Sequence, residues 1–207
     1  MQNLLCNINA GMIKKSQHHT LGQVRIIGGQ WRGRKLPVLT SPGLRPTPDR
    51  VRETLFNWLD PMIQNARCLD CFAGSGALGV EALSRYAKSA TLLELENNVA
   101  QQLINNLALL KAEDGCVINT NTLNWLAQTG QPYDVIFLDP PFQQELLTKT
   151  IYLLEKRNWL ADEAWIYVET AVKDTRVAFP SHWQLHREKT AGQIIYRLYI
   201  RRHLKQE

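Results

Sequence analysis

The tetrapeptide Asp139-Pro140-Pro141-Phe142 is the segment of this chain best suited to chemistry. It follows the apolar run 133–138, whose β-branched and aromatic residues predict a buried strand. A carboxylate at the carboxyl end of such a strand lies where open α/β sheets bind ligands. The prolines lack N–H groups, so their carbonyl oxygens can face a ligand without neighbouring backbone donors. A carboxylate, a carbonyl and an aromatic ring together favour a planar guest that carries an NH2 group, such as a nucleobase.

A plain loop is the alternative interpretation of this tetrapeptide. Asp-Pro commonly opens turns, and Pro-Pro commonly ends strands. Taken alone, the four residues favour neither interpretation. The rest of the chain favours a site, because a second ligand-binding pattern precedes the tetrapeptide.

That second pattern is a glycine loop after an earlier predicted strand. Asp70 ends the strand, and Gly74, Gly76 and Gly79 follow with the spacing GxGxxG. Such glycines allow a tight turn and a close approach of the backbone to a ligand at a helix N-terminus. Glu94 lies twenty residues beyond Gly74, where a carboxylate can bind ribose hydroxyls. The loop therefore predicts a nucleoside cofactor, with NAD and S-adenosylmethionine both compatible.

Asp70 favours S-adenosylmethionine over NAD. A carboxylate beside the loop would repel a pyrophosphate but would attract the ammonium and sulfonium groups of S-adenosylmethionine. The alternatives are that Asp70 only caps the loop and that Glu94 is a surface carboxylate. The predicted cofactor-binding residues are Asp70, Phe72, Gly74, Ser75, Gly76, Glu94 and Asn121, the last of these as a contact to adenine.

With this cofactor, the tetrapeptide gains a chemical task. Hydrogen bonds from an aryl amine to the Asp139 carboxylate and the Pro140 carbonyl would free the nitrogen lone pair for attack on a sulfonium methyl group. Phe142 would stack on a base that has left its helix or loop. Positioning would supply much of the rate, and general-base catalysis is not required. The predicted catalytic residues are Asp139, Pro140, Pro141 and Phe142.

The order of predicted elements indicates an α/β fold. From residue 66, strands alternate with helices, which predicts a mostly parallel sheet with helices on both faces. Two final strands without a helix between them predict a hairpin that adds one antiparallel strand. The predicted strands are 66–70, 90–94, 116–119, 133–138, 164–169, 183–188 and 193–199, and the predicted helices are 78–86, 97–110, 123–127 and 144–156.

The N-terminal quarter differs from the rest of the chain in its charge. Its first 48 residues contain seven Lys and Arg and no acidic residue, whereas the whole chain has a net charge of +5. Strands at 24–27 and 36–38 predict a small β element with basic residues at its tip. Such a patch attracts phosphate backbones, although a solvated basic arm is the alternative. The predicted RNA-binding residues are Arg25, Arg32, Arg34, Lys35, Arg45 and Arg50.

These patterns divide the chain into three parts. Residues 1–21 are predicted to be a disordered tail, with Met12 as an alternative start; residues 22–46 are a basic β extension, and residues 47–207 are the catalytic domain. Thr47 is predicted to cap a helix that has Pro48 at its first position and ends at Pro61. Its basic residues Arg50 and Arg52 either contact RNA or form surface ion pairs.

Composition excludes several classes of protein. No apolar run approaches the roughly 18–20 residues of a membrane span, and no signal peptide is evident, so we expect a cytoplasmic protein without a membrane partner. Cys68 and Cys71 form a CxxC without a second pair at zinc spacing, and strand alternation would point them to opposite faces. We therefore expect reduced thiols, no metal and, without an extra apolar surface, a monomer.

The motifs together resemble the RsmD family of bacterial 16S rRNA guanine-N2 methyltransferases. The resemblance rests on the glycine loop, Glu94 and the tetrapeptide, and on segments 25–36, 45–57 and 185–189. It covers nearly the whole chain from Val24 to Arg201.

The resemblance implies a seven-stranded Rossmann-like methyltransferase domain with an N-terminal β extension. It implies methylation of one guanine N2 in 16S rRNA, with the assembled 30S subunit as the preferred substrate and S-adenosylhomocysteine as the product. Three alternatives stay open at this point. They are methylation of adenine N6 or cytosine N4 in another nucleic acid, methylation of a protein glutamine, and a non-catalytic RNA-binding protein with a degenerate cofactor fold.

Overall fold

A computed structural model of the protein describes residues 21–39, 47–141, 144–174 and 177–202. These residues form a two-stranded sheet and a seven-stranded sheet. The strands are β1 Leu21–Arg25, β2 Lys35–Leu39, β3 Arg67–Asp70, β4 Ser89–Glu94, β5 Gly115–Asn119, β6 Tyr133–Leu138, β7 Leu160–Ala171, β8 Trp183–Ala191 and β9 Ile194–Arg202. The helices are α1 Asp49–Ile63, α2 Ala77–Ser84, α3 Asn97–Leu110, α4 Thr122–Leu126 and α5 Gln144–Lys156, with a 3₁₀ turn at Gly29–Trp31.

The large sheet has the strand order β5-β4-β3-β6-β7-β9-β8. Strands β3 to β7 are parallel, and β9 is antiparallel to both of its neighbours. The predicted seven-stranded, mostly parallel sheet with one antiparallel hairpin strand is thus confirmed. The chain moves outward in opposite directions from β3 and β6, which makes their carboxyl ends a topological switch point of the kind that binds ligands.

A hydrophobic core covers each face of this sheet. One core packs α1, α2 and α3 on the sheet through residues such as Leu55 and Leu103, which are almost fully buried. The other packs α4 and α5 through Leu126 and Leu154. Cys68 belongs to the first core and Cys71 to the second, and both are free thiols. The two cysteines therefore lie on opposite faces, as strand alternation predicts.

Helix α1 differs from its prediction at both ends. Pro48 is the N-cap residue, and no side chain caps the helix, because the Thr47 hydroxyl binds elsewhere. The helix also continues through Pro61 to Ile63 instead of ending at the proline. Pro61 removes one backbone donor near the end of the helix, and the burial of Ile63 in the core offsets that loss.

Strand β7 is longer than the predicted strand 164–169, with 12 residues. Leu160 and residues 165–168 pair with β6, and residues 163–171 pair with all nine residues of β9. The antiparallel partner extends β7 past Glu169 because each added residue gains ladder hydrogen bonds. Glu169 consequently lies inside a regular strand at the ligand-binding edge of the sheet.

The N-terminal strands form an antiparallel pair, β1 with β2. Strand β2 packs on α3, and the 3₁₀ turn between the strands packs on α2. Buried Glu81 of α2 accepts hydrogen bonds from the backbone N–H groups of Ile27 (2.8 Å) and Gly28 (2.7 Å). The same carboxylate pairs with Arg85 at 2.9 Å and lies 3.7 Å from buried Arg52. The predicted boundaries at residues 21 and 46 stay predictions, since residues 1–20 and 40–46 lie outside the described ranges.

Candidate active site at the carboxyl ends of four strands

Four carboxylates line the carboxyl edge of the large sheet. Glu94 ends β4, Asp70 ends β3, Asp139 follows β6 and Glu169 lies near the end of β7. These four strands are neighbours in the sheet. By strand alternation all four side chains point to the face that α1 and α2 cover. The site is therefore strongly acidic, which favours a cationic ligand and disfavours a pyrophosphate.

The glycine loop turns the chain from β3 into α2. Gly76 is the N-cap residue of α2 and has a φ of 74°, in the left-handed region that favours glycine. A Cβ atom at this position would lie 2.5 Å from the Leu103 side chain. Gly74 also has a positive φ, and its N–H donates to Oε2 of Glu94 at 2.8 Å. The glycine loop is thus held between the Leu103 side chain of α3 and Glu94 at the end of β4.

Asp70 lies beneath this loop and is 2% exposed. Its Oδ2 accepts a hydrogen bond from the N–H of Gly79 at 3.1 Å. Its Oδ1 is buried without a hydrogen-bond partner among the residues that the structure describes. Burial raises the pKa of this carboxyl to about 7, although the Gly79 hydrogen bond opposes the shift. An unpaired buried oxygen beside a glycine loop fits a cationic group, so these residues fit the ammonium of S-adenosylmethionine.

The other predicted cofactor residues lie around the same loop. Glu94 is 8% exposed, and its second oxygen accepts from the N–H of Glu96 at 2.8 Å. Ser75 is buried, and Phe72 is half-buried against the α4–α5 core. Asn121 caps α4, where its side chain accepts from the N–H of Asn124 at 3.1 Å. The structure brings these residues to one edge of the sheet, while their contacts with a cofactor stay predictions.

A small cavity adjoins the glycine loop. It lies between β2, the loop and α3, and Val38, Leu39, Gly74, Ser75 and Leu103 contribute to its walls. The β extension and the predicted cofactor loop therefore share a boundary.

The predicted catalytic residues lie across the edge from this loop. Asp139 is half-buried, and its Oδ2 accepts a hydrogen bond from the Thr47 hydroxyl at 3.2 Å. Burial raises the pKa of the Asp139 carboxyl to about 6, and the Thr47 hydrogen bond lowers it. Pro140 is buried and Pro141 is exposed. Phe142 lies outside the described residues.

Thr47 and Glu169 also lie at this edge of the sheet, and neither was among the predicted site residues. Glu169 is 9% exposed, and its Oε2 accepts a hydrogen bond from the Tyr167 hydroxyl at 2.9 Å. Burial, with the nearby charge of Asp139, raises the pKa of the Glu169 carboxyl to about 8. A signal for Glu169 was present, because it ends a predicted buried strand as Asp70 and Asp139 do. The position of Thr47 directly before Pro48 predicted a helix cap and not a contact with Asp139.

The predicted RNA-binding residues form an exposed basic surface on the β extension and the start of α1. Arg25 and Lys35 lie opposite each other in the β1–β2 pair. Arg25 also bridges to α1 through an ion pair with Asp49 at 3.0 Å. The exposed residues of this basic surface are Arg25, Arg32, Arg34, Lys35 and Arg50. Arg45 lies outside the described residues.

Arg52 is a structural residue, in contrast to exposed Arg50. It is 1% exposed, so the alternative that placed it in a surface ion pair is wrong. Its guanidinium donates to Asp49 at 2.6 Å, to the carbonyl oxygen of Arg25 at 2.9 Å and to that of Thr47 at 3.2 Å. Arg52 therefore ties the basic surface to the segment that contacts Asp139.

The described residues can also be compared with the requirements for a membrane-spanning helix and for a metal site. In the described ranges, no helix has the length and apolarity needed to cross a bilayer. Within the same ranges, no group of three or more His, Cys, Asp or Glu side chains is arranged to hold a metal ion.

Comparison with known proteins identifies the family of this chain. A family model described as conserved hypothetical protein 95 matches residues 24–200. Ribosomal RNA small subunit methyltransferase D of Escherichia coli K12 is 64% identical over 189 residues, which cover 91% of this chain and 96% of that protein. The protein of the same name from Haemophilus influenzae is 58% identical over 182 residues, or 86% of this chain and 94% of the relative.

Solved structures give the same result. A putative methyltransferase, yhhF, from Escherichia coli superposes with a TM-score of 0.84 at 61% identity and covers 88% of this chain and 100% of its own. A putative methylase from Haemophilus influenzae superposes with a TM-score of 0.78 at 53% identity, again over 88% of this chain and 100% of its own. The chain therefore belongs to the RsmD family of S-adenosylmethionine-dependent methyltransferases.

Proposed function

We propose that this protein transfers a methyl group from S-adenosylmethionine to the exocyclic N2 amine of one guanine in 16S rRNA. The substrate is the assembled 30S subunit, and the second product is S-adenosylhomocysteine. The names of the two closely similar relatives, small subunit methyltransferases, support the rRNA substrate. The observation that carries the proposal is the placement of Asp70 and Asp139 on one face of paired strands β3 and β6, where Asp70 lies opposite Phe137, two residues before Asp139.

This placement suits a reaction between a cation and an amine. Asp70 offers a buried, unpaired oxygen to the cationic cofactor, and Asp139 offers a carboxylate to the amine one strand away. Neighbouring strands lie roughly 5 Å apart and two residues span roughly 7 Å along a strand, so the backbones of the two residues lie within about 8 Å of each other. When bound, S-adenosylmethionine supplies an electrophilic methyl group.

The residues of the chain then orient the amine. Asp139 accepts a hydrogen bond from one N–H of guanine N2, and the Pro140 carbonyl accepts from the other. Both bonds favour a pyramidal nitrogen whose lone pair points along the line of methyl transfer. Thr47 holds the Asp139 carboxylate in place through its hydroxyl. Phe142 would stack on the base, and Pro141 would fix the turn between Asp139 and Phe142.

The basic surface positions the RNA for this step. Arg25 of the β extension pairs with Asp49, two residues after Thr47, which contacts Asp139. Phosphates bound along this surface would therefore lie beside the amine-binding edge, where a flipped base enters. We also infer that residues 22–46 act as the RNA-contacting extension of a catalytic domain over residues 47–207, in a cytoplasmic monomer.

The decisive experiment is transfer of labelled methyl groups to 30S subunits, 50S subunits and naked 16S rRNA. The modified nucleosides are separated after digestion, and N2-methylguanosine from the 30S sample is expected. Label in methyladenosine, methylcytidine or protein would replace the proposed substrate by one of the alternatives. Calorimetric titration with S-adenosylmethionine and with NAD tests the cofactor, and binding of NAD alone would contradict the role of Asp70.

Variants of Asp139 test the mechanism. Asp139→Ala is expected to retain cofactor affinity and to lose most turnover, whereas Asp139→Asn keeps one acceptor oxygen and some activity. Asp162→Ala is the matched control, because exposed Asp162 lies near the opposite end of β7. Unchanged turnover in Asp139→Ala would remove this residue from the reaction.

A further inference from the structure

Glu169 is the direct neighbour of Asp139 across two paired strands. Strands β6 and β7 are parallel, and Leu138 of β6 lies opposite Val168 of β7. The next residues along the two strands, Asp139 and Glu169, therefore lie side by side, with their backbones roughly 5 Å apart. Both carboxyl groups belong to the same face, so a base that binds one of them lies within reach of the other.

An aromatic layer supports Glu169 from below. Tyr167 lies two residues earlier on the same face, with its ring centroid 6.5 Å from those of Phe137 and Tyr196. Tyr196 lies opposite Glu169 on β9 and stacks on Trp58 of α1 at 5.4 Å. These packed rings restrict the Glu169 side chain, because protein interiors leave little room for rotamer changes.

Glu169 has one oxygen without a donor, and its other oxygen accepts a single hydrogen bond, so both oxygens can contact a ligand. The Tyr167 hydroxyl donates to Oε2, and no described residue donates to Oε1. Glu169 is only 9% exposed, so a ligand that bonds to Oε1 would replace the little water that this carboxyl can reach. Glu169 makes no ion pair with the described residues. Its place at the ligand-binding edge points to a partner from the substrate.

The adjacency of Asp139 also determines the charge of this pair. Two carboxyl groups at such a distance hold one proton between them near neutral pH, because two negative charges together are unfavourable. The other titratable and charged groups around Glu169 are Tyr167, Tyr196, Lys189 opposite Tyr196 on β8, Asp70 at the end of β3, and Asp49 with Arg25 and Arg52 at the start of α1. With its raised pKa, Glu169 holds the proton and Asp139 is the ionised member.

A neutral carboxyl beside a carboxylate has a defined hydrogen-bonding pattern. The ionised Asp139 is an acceptor, and the neutral Glu169 offers one acceptor oxygen and one O–H donor. The edge of guanine presents, in order, the N2 amine as a donor, N1–H as a donor and O6 as an acceptor. The two patterns are complementary along their whole length.

We propose that Glu169 selects guanine by accepting a hydrogen bond from its N1–H and donating one to its O6, while Asp139 binds the N2 amine. This inference rests on the proposed guanine N2 methylation and adds the residue that determines the base. Cytosine presents a bare ring nitrogen in place of N1–H and keeps only the bond to its carbonyl oxygen. Adenine presents a bare ring nitrogen and a C–H group, so it makes neither bond. Glu169 is thus the specificity residue of the site.

The first test compares three substitutions at position 169. Glu169→Gln keeps an acceptor and a donor and is expected to stay within about threefold of the wild-type kcat/KM. Glu169→Ala and Glu169→Leu lose both bonds and are expected to fall by about tenfold to a hundredfold. Cofactor affinity and melting temperature are measured for each variant, so that only folded, cofactor-binding protein is compared. Equal activity of the Ala and Gln variants would overturn the proposal.

The second test is the pH profile. Wild-type kcat/KM on 30S subunits is expected to fall as pH rises through about 8, where Glu169 loses its proton. Glu169→Gln cannot lose a proton, so it gives the baseline set by the substrate itself. Tyr167→Phe removes a hydrogen bond that favours the charged form, so its fall is expected at higher pH. A residue that only supported the fold would move none of these midpoints, and identical profiles would contradict the role of Glu169.

The third test uses a base analogue. Once the methylated guanine is located, it is replaced by 2-aminopurine, which keeps the N2 amine but lacks N1–H and O6. Glu169→Ala is expected to cost about tenfold less on this analogue than on guanine; an equal cost on both bases would contradict the contact. If the wild type places no methyl group on guanine N2 at all, the proposed function fails. If it does so and Glu169→Ala is unimpaired, only this inference fails.

Discussion

The Thr47 hydroxyl donates a hydrogen bond to Oδ2 of Asp139 across 3.2 Å. The two residues are 92 positions apart in the chain and connect the start of α1 to the end of β6. A hydrogen bond to the ionised carboxylate lowers its pKa, and burial raises it. The Thr47 hydroxyl thus favours the ionised form of Asp139 and opposes the effect of burial.

We predict that Thr47→Val shifts the acid limb of the reaction to higher pH. Ionised Asp139 accepts hydrogen bonds more strongly than the neutral acid, so wild-type kcat/KM is expected to fall as pH decreases through about 6. Loss of the Thr47 hydrogen bond raises that pKa, so the fall occurs at higher pH. The measurement is a kcat/KM profile from pH 5 to 8, and Thr47→Ser, which keeps the hydroxyl, serves as the control. Superimposable profiles for the Val and Ser variants would contradict this relationship.

We predict that Asp70 makes the free protein less stable at alkaline pH. Its folded-state pKa of about 7 lies above the ordinary value, so the folded state binds a proton that the unfolded state has lost. The penalty is absent in acid, grows as pH rises from about 4 and is complete above about 7. The melting temperature of Asp70→Asn relative to wild type is therefore expected to increase by several degrees from pH 5 to pH 8.

The control for this measurement is Asp60→Asn, a substitution at an exposed carboxylate of α1. Its melting temperature relative to wild type is expected to stay nearly constant over the same range. The Asp70→Asn variant is also expected to bind S-adenosylmethionine more weakly, since it loses the negative charge. A difference in melting temperature that does not change with pH would argue against an ionisable group buried beneath the glycine loop.

We predict that the basic surface accounts for the salt dependence of RNA binding. Replacing Arg32 and Lys35 by alanine is expected to weaken binding and to flatten the plot of log affinity against log salt by roughly 0.7–0.9 per lost phosphate contact. Lys156 and Arg157 are suitable controls, because they are exposed at the end of α5 on the other face of the sheet. If the control pair changes the slope and the first pair does not, RNA binds on the opposite face.

We predict a large difference in stability between two neighbouring arginines of α1. Arg52→Ala removes a buried guanidinium that donates hydrogen bonds to Asp49 and to two backbone carbonyl oxygens. The same guanidinium lies 3.7 Å from the carboxylate of Glu81. Breaking such a network is expected to lower the free energy of unfolding by about 3–5 kcal/mol. Arg50→Ala, at an exposed position two residues away, is expected to change it by less than about 0.5 kcal/mol. Denaturant titration measures both, and similar losses would mean that the buried network contributes little.

Much of the sheet was predictable because its strands are short apolar runs with clear ends. Helices α3 and α5 and strand β6 have their predicted bounds, since glycine, proline and polar residues flank them. The predicted end of α1 at Pro61 was wrong. A proline near a helix terminus costs only one hydrogen bond, and the tertiary structure buries Ile63 beyond it. The length of β7 was underestimated, since pairing of Leu160 with β6 and of residues 163–171 with β9 extends the strand at its two ends.

The candidate site was predictable where one rule applied, that a carboxylate or glycine loop follows a buried strand. This rule located Asp70, Glu94 and Asp139, and it applied equally to Glu169. The contact of Thr47 with Asp139 and the burial of Arg52 could not be predicted, because each depends on segments far apart in the chain that the fold brings together. Local propensity contains no information about such partners.

The position of β9 has a consequence for the order in which the protein can be completed. Because Ile194–Arg202 lies between β7 and β8, the penultimate strand has no edge to join until the last strand is in place. A nascent chain that has emerged only as far as Ala191 leaves the long edge of β7 unpaired. Strands of other chains can form hydrogen bonds with such an exposed edge. Strand β9 is synthesised after β8 and is the strand that completes the edge of β7, and it also brings Tyr196 opposite Glu169.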